Sequence, residues 1–231
     1  TDMITFFHEF FFGMLPYIVL VVMVLGTIIR YDREPYSWRA ASSQILADKG
    51  LRVGNILFHI GVIFLFFGHL IGLLTPHSVY HHVISAENKQ MVAIVMGGLF
   101  GTICFIGLTI LCVRRLFVAR VRVTSAPADV AILVILWVQL VLGLTTIPYS
   151  LGHSDGSVMM ALSEWCQSII TFQGAHPELI EPLAWPYKAH LILGMFIFFL
   201  FPFTRLVHIL SAPVRYVWRP YQVVRSRAAR R

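Results

Sequence analysis

Five apolar runs, each long enough to cross a hydrocarbon core about 30 Å thick, divide this chain of 231 residues. They cover residues 6–29, 54–74, 91–113, 130–149 and 186–210. What remains between them is too short to build a second hydrophobic core. Continuous apolar sequence selects helices over barrel strands, which would alternate apolar and polar residues over about ten positions. The expected fold is all-α: a membrane protein forming a five-transmembrane-helix bundle, one domain over residues 1–231. Composition agrees, since 58% hydrophobic residues against 13% charged lie far from a soluble domain. The first run follows Asp2 and Glu9, with no basic leader and no small-residue cleavage site. It therefore reads as a retained span rather than a signal peptide.

Charge sets the expected orientation. Of eighteen Lys and Arg residues, five fall between Arg30 and Arg52, four at Arg114, Arg115, Arg120 and Arg122, and seven from Arg205 to Arg231. Only Lys89 and Lys188 are left for the opposite face. By the positive-inside rule the N-terminus is outside and the C-terminus cytoplasmic, as expected of a protein in a cytoplasmic (inner) membrane. The +7 charge is thus mainly a topology signal, compatible with anionic lipid or an acidic partner surface. It gives no reason to invoke nucleic acid.

The connecting segments suggest roles outside the bundle. Residues 157–172 form a partly amphipathic stretch expected on the membrane surface, with Trp165 suited to an interfacial belt. Arms 31–52 and 114–129, and the basic tail after Pro213, have no core of their own and suit docking to a cytoplasmic partner. Cys104, Cys112 and Cys166 form neither CxxC nor CxxCH, so no zinc ribbon or covalently attached haem is indicated. Cys104 and Cys112 read as small apolar residues of a membrane helix. No nucleotide loop occurs, which leaves chemistry to the bundle or to partners.

Histidine at membrane depth is costly and turns inward, so His59 and His69 in the second span, and His190 and His208 in the fifth, stand out. The two helices run in opposite directions. His69 with His190 therefore falls toward the outer face and His59 with His208 toward the cytoplasm. Bis-imidazole ligation of two stacked b-type haems suits such pairs, because filling both axial positions leaves none for oxygen and favours electron transfer. Eighteen residues are five whole turns, placing His190 and His208 on one face of an ideal helix, whereas His59 and His69 sit about 80° apart. Tilt, haem orientation or local unwinding must absorb that misfit, and Pro202 interrupts the fifth helix. Gly61, Gly68 and Gly72 permit close approach of a porphyrin or of a neighbouring helix. A single histidine is as readily a hydrogen-bond donor between helices. His8, His77, His81, His82, His153 and His176 fall in termini or loops, where solvated roles are expected; His81 and His82 could hold an adventitious metal.

Several stretches together resemble the gamma subunit of respiratory nitrate reductase: Arg30-Tyr31-Asp32, Tyr36-Ser37-Trp38-Arg39-Ala40-Ala41-Ser42-Ser43-Gln44, Asn55 through His59 to Gly61, Gly72 to His77, and Phe201 through Arg205 to His208. The resemblance covers almost the whole chain. It implies a dihaem cytochrome b with His69 and His190 on the distal haem iron and His59 and His208 on the proximal one. It further implies that Lys89 and Gly68 form a site oxidising menaquinol or ubiquinol near the outer face. Electrons would pass through distal then proximal haem to an iron–sulfur beta subunit. The iron–sulfur clusters and the molybdenum cofactor would belong to the partner beta and alpha subunits on the cytoplasmic side. On chemistry alone Lys89 reads equally well as an interfacial anchor.

Three other readings fit part of the pattern. A related cytochrome b of a sulfite-reduction or heterodisulfide-reductase complex would share the dihaem architecture. A haem-free transporter would use the histidines as a proton relay. A passive membrane anchor would not need them.

Overall fold

The computed structural model describes residues 2–38, 49–153, 155–211 and 218–219. Among them every regular element is helical. The first span runs without interruption through α1 (Asp2–Glu9), a π-helical turn at Phe10–Met14 and α2 (Leu15–Arg33). Next come α3 (Leu51–Leu74), the single turn α4 (His77–Tyr80), α5 (Ala86–Phe117), the short α6 (Ala119–Val123), α7 (Pro127–Leu151), α8 (Ser157–Ile170) and α9 (Trp185–Leu200). Five helical segments are long and apolar enough to cross a membrane. Residues 39–44 of the motif and most of the tail from Pro213 lie outside the described residues.

The spans form an arc rather than a closed ring. α3 packs on α5, α5 on α7, α7 on α9, and α9 on α2, while α3 and α9 have no substantial packing contact. Close approach of α3 and α5 is built from glycine. A Cβ on Gly61 would stand 2.6 Å from the Cys104 amide nitrogen, and one on Gly54 would stand 3.2 Å from the Gly107 carbonyl. Small residues of this kind let helix backbones meet where no hydrophobic drive separates protein from lipid. Cys104 and Cys112 are buried at these seams, with sulfur atoms 3.9 Å from the Phe58 carbonyl and 3.8 Å from the Leu133 carbonyl.

α8 lies across one end of the arc. The Trp165 indole donates to the Phe12 carbonyl at 3.0 Å, and Gln167 donates to the Leu73 carbonyl at 2.8 Å. The Phe12 carbonyl belongs to the π turn, where the α-helical ladder is broken and a carbonyl is available to an outside donor. Trp165 is buried with Phe12, Val19, Ile169 and Met195. It is a core residue tying α8 to the first span, not the interfacial belt residue expected of it.

The last span departs most from its expected form. Its helix ends at Leu200, because Pro202 cannot donate to the ladder and its ring clashes with the preceding turn. A 3₁₀ turn at Phe201–Phe203, extended backbone at Thr204 and a 3₁₀ segment Arg205–Ser211 follow. Five whole α-helical turns therefore do not connect His190 to His208, and the shared face expected of them does not apply. α3 is continuous, so no local unwinding relieves the angular offset of His59 and His69.

Arg30 holds the broken end in place. Its guanidinium donates to the Pro202 carbonyl at 2.7 Å and the Thr204 carbonyl at 2.8 Å, two groups the break leaves without helical partners. Gly26, one turn earlier, admits the Pro202 ring, since a Cβ there would meet it at 2.8 Å.

Candidate functional site

His69 lies five residues before the end of α3 and His190 five residues after the start of α9. At 1.5 Å per residue both stand about 7 Å below the α8 end of the bundle. Their rings face each other across the arc's opening, with centroids 6.2 Å apart and planes tilted by 34°. The helices that carry them do not pack together. The rings are thus presented to each other without a helix interface to bring them there.

That separation has a chemical meaning. Metal–imidazole bonds of about 2 Å, plus about 1 Å from each nitrogen to its ring centre, put two trans imidazoles about 6 Å apart. Two ligands alone do not make a zinc or iron cage, and among the described residues no group of three or more His, Cys, Asp or Glu side chains gathers. The arrangement fits a metal that brings its own equatorial donors, as haem does. Gly68 and Gly72 agree with this, because a Cβ on either would meet nothing within 4 Å. Gly61, by contrast, is absorbed by helix packing. Of the three, Gly61 alone is in a helix seam, and Gly68 and Gly72 face open space.

All four histidines have Nδ1 at a backbone carbonyl: His59 at Asn55 (2.8 Å), His69 at Leu65 (2.7 Å), His190 at Gln139 (3.1 Å) and His208 at Arg205 (2.5 Å). A proton held on Nδ1 leaves the Nε2 lone pair to bind a metal. The tether does not by itself mark a ligand, since His81 and His153 make the same bond one turn back along the chain. His81 also has histidine rings beside it, His77 at 5.2 Å and His82 at 3.8 Å, but these belong to its own short segment; His69 and His190 differ in that their rings converge from two separate spans. His59 packs edge-on to Phe58 at 5.1 Å, His208 lies beyond the Pro202 break, and no ring contact joins this second pair among the described residues.

Lys89 sits over the Tyr80 ring at 3.7 Å and reaches the Thr75 carbonyl at 3.5 Å, just past the end of α3. Gly68 lies back along α3, beside His69. Two residues near His190 escaped the sequence reading, Gln139 and Gly143 on α7. An amide inside a membrane span was a legible signal, but it offered no partner until α7 and α9 were placed together. A cavity of about 610 Å³ between the first span, α7 and α9 is lined by apolar side chains alone, including Phe11, Leu142 and Phe196, and contributes no reactive group.

Residues 8–227 match the family described as nitrate reductase gamma subunit. The chain belongs to that family. It is 49% identical over 225 residues to the respiratory nitrate reductase 2 gamma chain of Escherichia coli K12, covering 97% of this chain and all of that one. The nitrate reductase gamma chain of Bacillus subtilis is 35% identical, over 95% of this chain and 99% of its own length. A more distant relative, the Hdr-like menaquinol oxidoreductase cytochrome b-like subunit of Archaeoglobus fulgidus, is 23% identical over 85% of this chain and 75% of its own. As a nitrate reductase gamma subunit the chain is a multi-pass membrane cytochrome b component of an oxidoreductase complex, and alpha and beta subunits are its partners.

Proposed function

We propose that this gamma subunit binds two b-type haems and draws electrons from membrane quinol for the rest of the nitrate reductase complex. The facing pair His69 and His190, 6.2 Å between centroids, carries the proposal. In it His69 and His190 would hold a distal haem, and His59 and His208 a proximal one. Bound haems would supply one-electron carriers between a two-electron quinol and an iron–sulfur partner.

The protein's own residues have the remaining work. Nδ1 tethers hold each imidazole as a neutral Nε2 donor. α8 covers the distal end and limits water there. Lys89, with Gly68 leaving open space alongside His69, is placed to donate a hydrogen bond to a quinol oxygen and to steer its proton toward the end of the bundle. The menaquinol oxidoreductase name of the Archaeoglobus relative supports a quinol substrate. The clustering of basic residues on one side of the bundle supports an outer location for that end and a cytoplasmic one for the alpha and beta subunits. Menaquinol or ubiquinol serves the same chemistry.

Adding a quinol analogue to the oxidised complex tests this reading. Absorption bands of reduced cytochrome b should appear, and Lys89→Ala should raise the quinol KM while leaving dithionite-reducible haem unchanged. A purified complex whose gamma subunit holds no haem would overturn it.

A further inference from the structure

Of the four histidines, three are tethered by carbonyls of their own segment, at Asn55, Leu65 and Arg205. His190 alone draws its tether from another helix, the Gln139 carbonyl of α7. That carbonyl belongs to the α-helical ladder, where its regular partner is the amide of Gly143. A second acceptor lone pair remains for the imidazole, but only if nothing at position 143 covers it. A Cβ on Gly143 would stand 2.9 Å from His190 Cε1 and 3.4 Å from Nδ1, and its three nearest neighbours are all atoms of this ring.

The contrast with Gly61 separates this from ordinary helix packing. Gly61 faces the backbone of Cys104, so its lack of a side chain brings helices together. Gly143 faces an imidazole, so its lack of a side chain seats a ring. The clamp is completed from the opposite direction. Gln139 donates its side-chain nitrogen to the His190 carbonyl at 3.0 Å, and Gly194 on α9 leaves room for that amide, which a Cβ would meet at 3.1 Å. The same nitrogen lies 3.4 Å from His190 Nε2, a long contact that a metal would displace.

We infer that Gly143 and Gln139 are positioning residues that fix the plane and basicity of the His190 imidazole, and so tune one of the two haems without touching the other. This rests on the dihaem reading above. A strong Nδ1–H bond to a carbonyl makes the ring a better electron donor and favours the oxidised metal. Weakening the bond should therefore raise that haem's potential.

Redox titration of the complete membrane complex, with low-spin haem signals followed by electron paramagnetic resonance, tests the inference on Gly143→Ala, Gln139→Leu and the control Gly97→Ala, whose Cβ meets nothing within 4 Å. Gly143→Ala is expected to raise one midpoint potential by about 59 mV, a tenfold fall in the oxidised-to-reduced ratio at a fixed ambient potential for a one-electron couple. The signal of that haem should shift while the other haem and the control stay at wild-type values. Unchanged potentials and signals for both haems would overturn the inference. If Gly143→Ala does not accumulate, Gln139→Leu decides: a change confined to one haem supports it, and no change or an equal change in both overturns it. A wild-type complex lacking bis-imidazole haem signals would instead defeat the dihaem reading on which the inference stands.

Discussion

The imidazoles of His69 and His190 face each other at 6.2 Å across an opening that α3 and α9 leave between them. If the two rings hold one haem, as proposed, losing either should cost that haem. His69→Ala and His190→Ala are each expected to lower haem content from about two to about one per gamma subunit, and the double variant to lower it no further. Pyridine haemochrome assay of the purified complex measures this. Single variants that remove different haems, so that the double removes both, would show the pairing to be wrong.

The glycines of α3 differ in what an added side chain would meet. Gly61→Ala forces a methyl against the Cys104 backbone at 2.6 Å, where no side chain can swing away. Overpacking of this kind costs about 1–3 kcal/mol, read as an earlier thermal unfolding of the detergent-solubilised complex. Gly68→Ala adds its methyl to open space and should leave the unfolding midpoint at the wild-type value. Under the quinol reading it narrows the site beside His69 and raises the quinol KM. Equal destabilisation by the two substitutions would contradict this division.

Arg30 joins α2 to the interrupted last span through two carbonyls, those of Pro202 and Thr204. Removing the guanidinium in Arg30→Ala leaves both acceptors without their charged donor, a loss of about 2 kcal/mol or more. Lysine keeps the charge but cannot reproduce the fork that reaches both carbonyls and Ser37, so Arg30→Lys should recover only part of it. Since His208 follows the same break, lost thermal stability is expected to come with lower occupancy of the proximal haem. A stable variant with full haem content would sever that link.

The five spans were legible because bilayer thickness imposes a length and lipid imposes unbroken apolarity, so residues such as those of α3 declare themselves without tertiary information. The candidate ligands were legible for the complementary reason, that histidine at such depth is expensive. Hidden features depend on what lies across a helix interface. Trp165 looked like a belt residue because the Phe12 carbonyl, which Pro16 leaves without its helical donor, names no partner until α8 is set against the first span. The shared face of His190 and His208 assumed regular geometry through Pro202, a residue whose effect on direction depends on Arg30 and Gly26 of another helix. Gly143 was unremarked because a missing side chain says nothing until the ring that fills its place is seen.

Cys166 links packing to pH. It lies on α8, outside the candidate spans, and burial pushes its thiol up from an ordinary 9.0 to about 12. Between those values the unfolded chain releases the proton and the folded chain keeps it, so stability is fully present below pH 9 and falls as pH rises. One group of this kind costs about 1.4 kcal/mol by pH 10. Cys166→Ala should lack that increment: its unfolding midpoint should decline less steeply than wild type between pH 8 and pH 10 in matched thermal scans. The same burial keeps the native thiol un-ionised at pH 8, where alkylation of Cys166 by a maleimide should be far slower than that of a free cysteine. Parallel pH profiles for the two proteins would show that the thiol is not shielded by the contacts that hold α8 across the bundle.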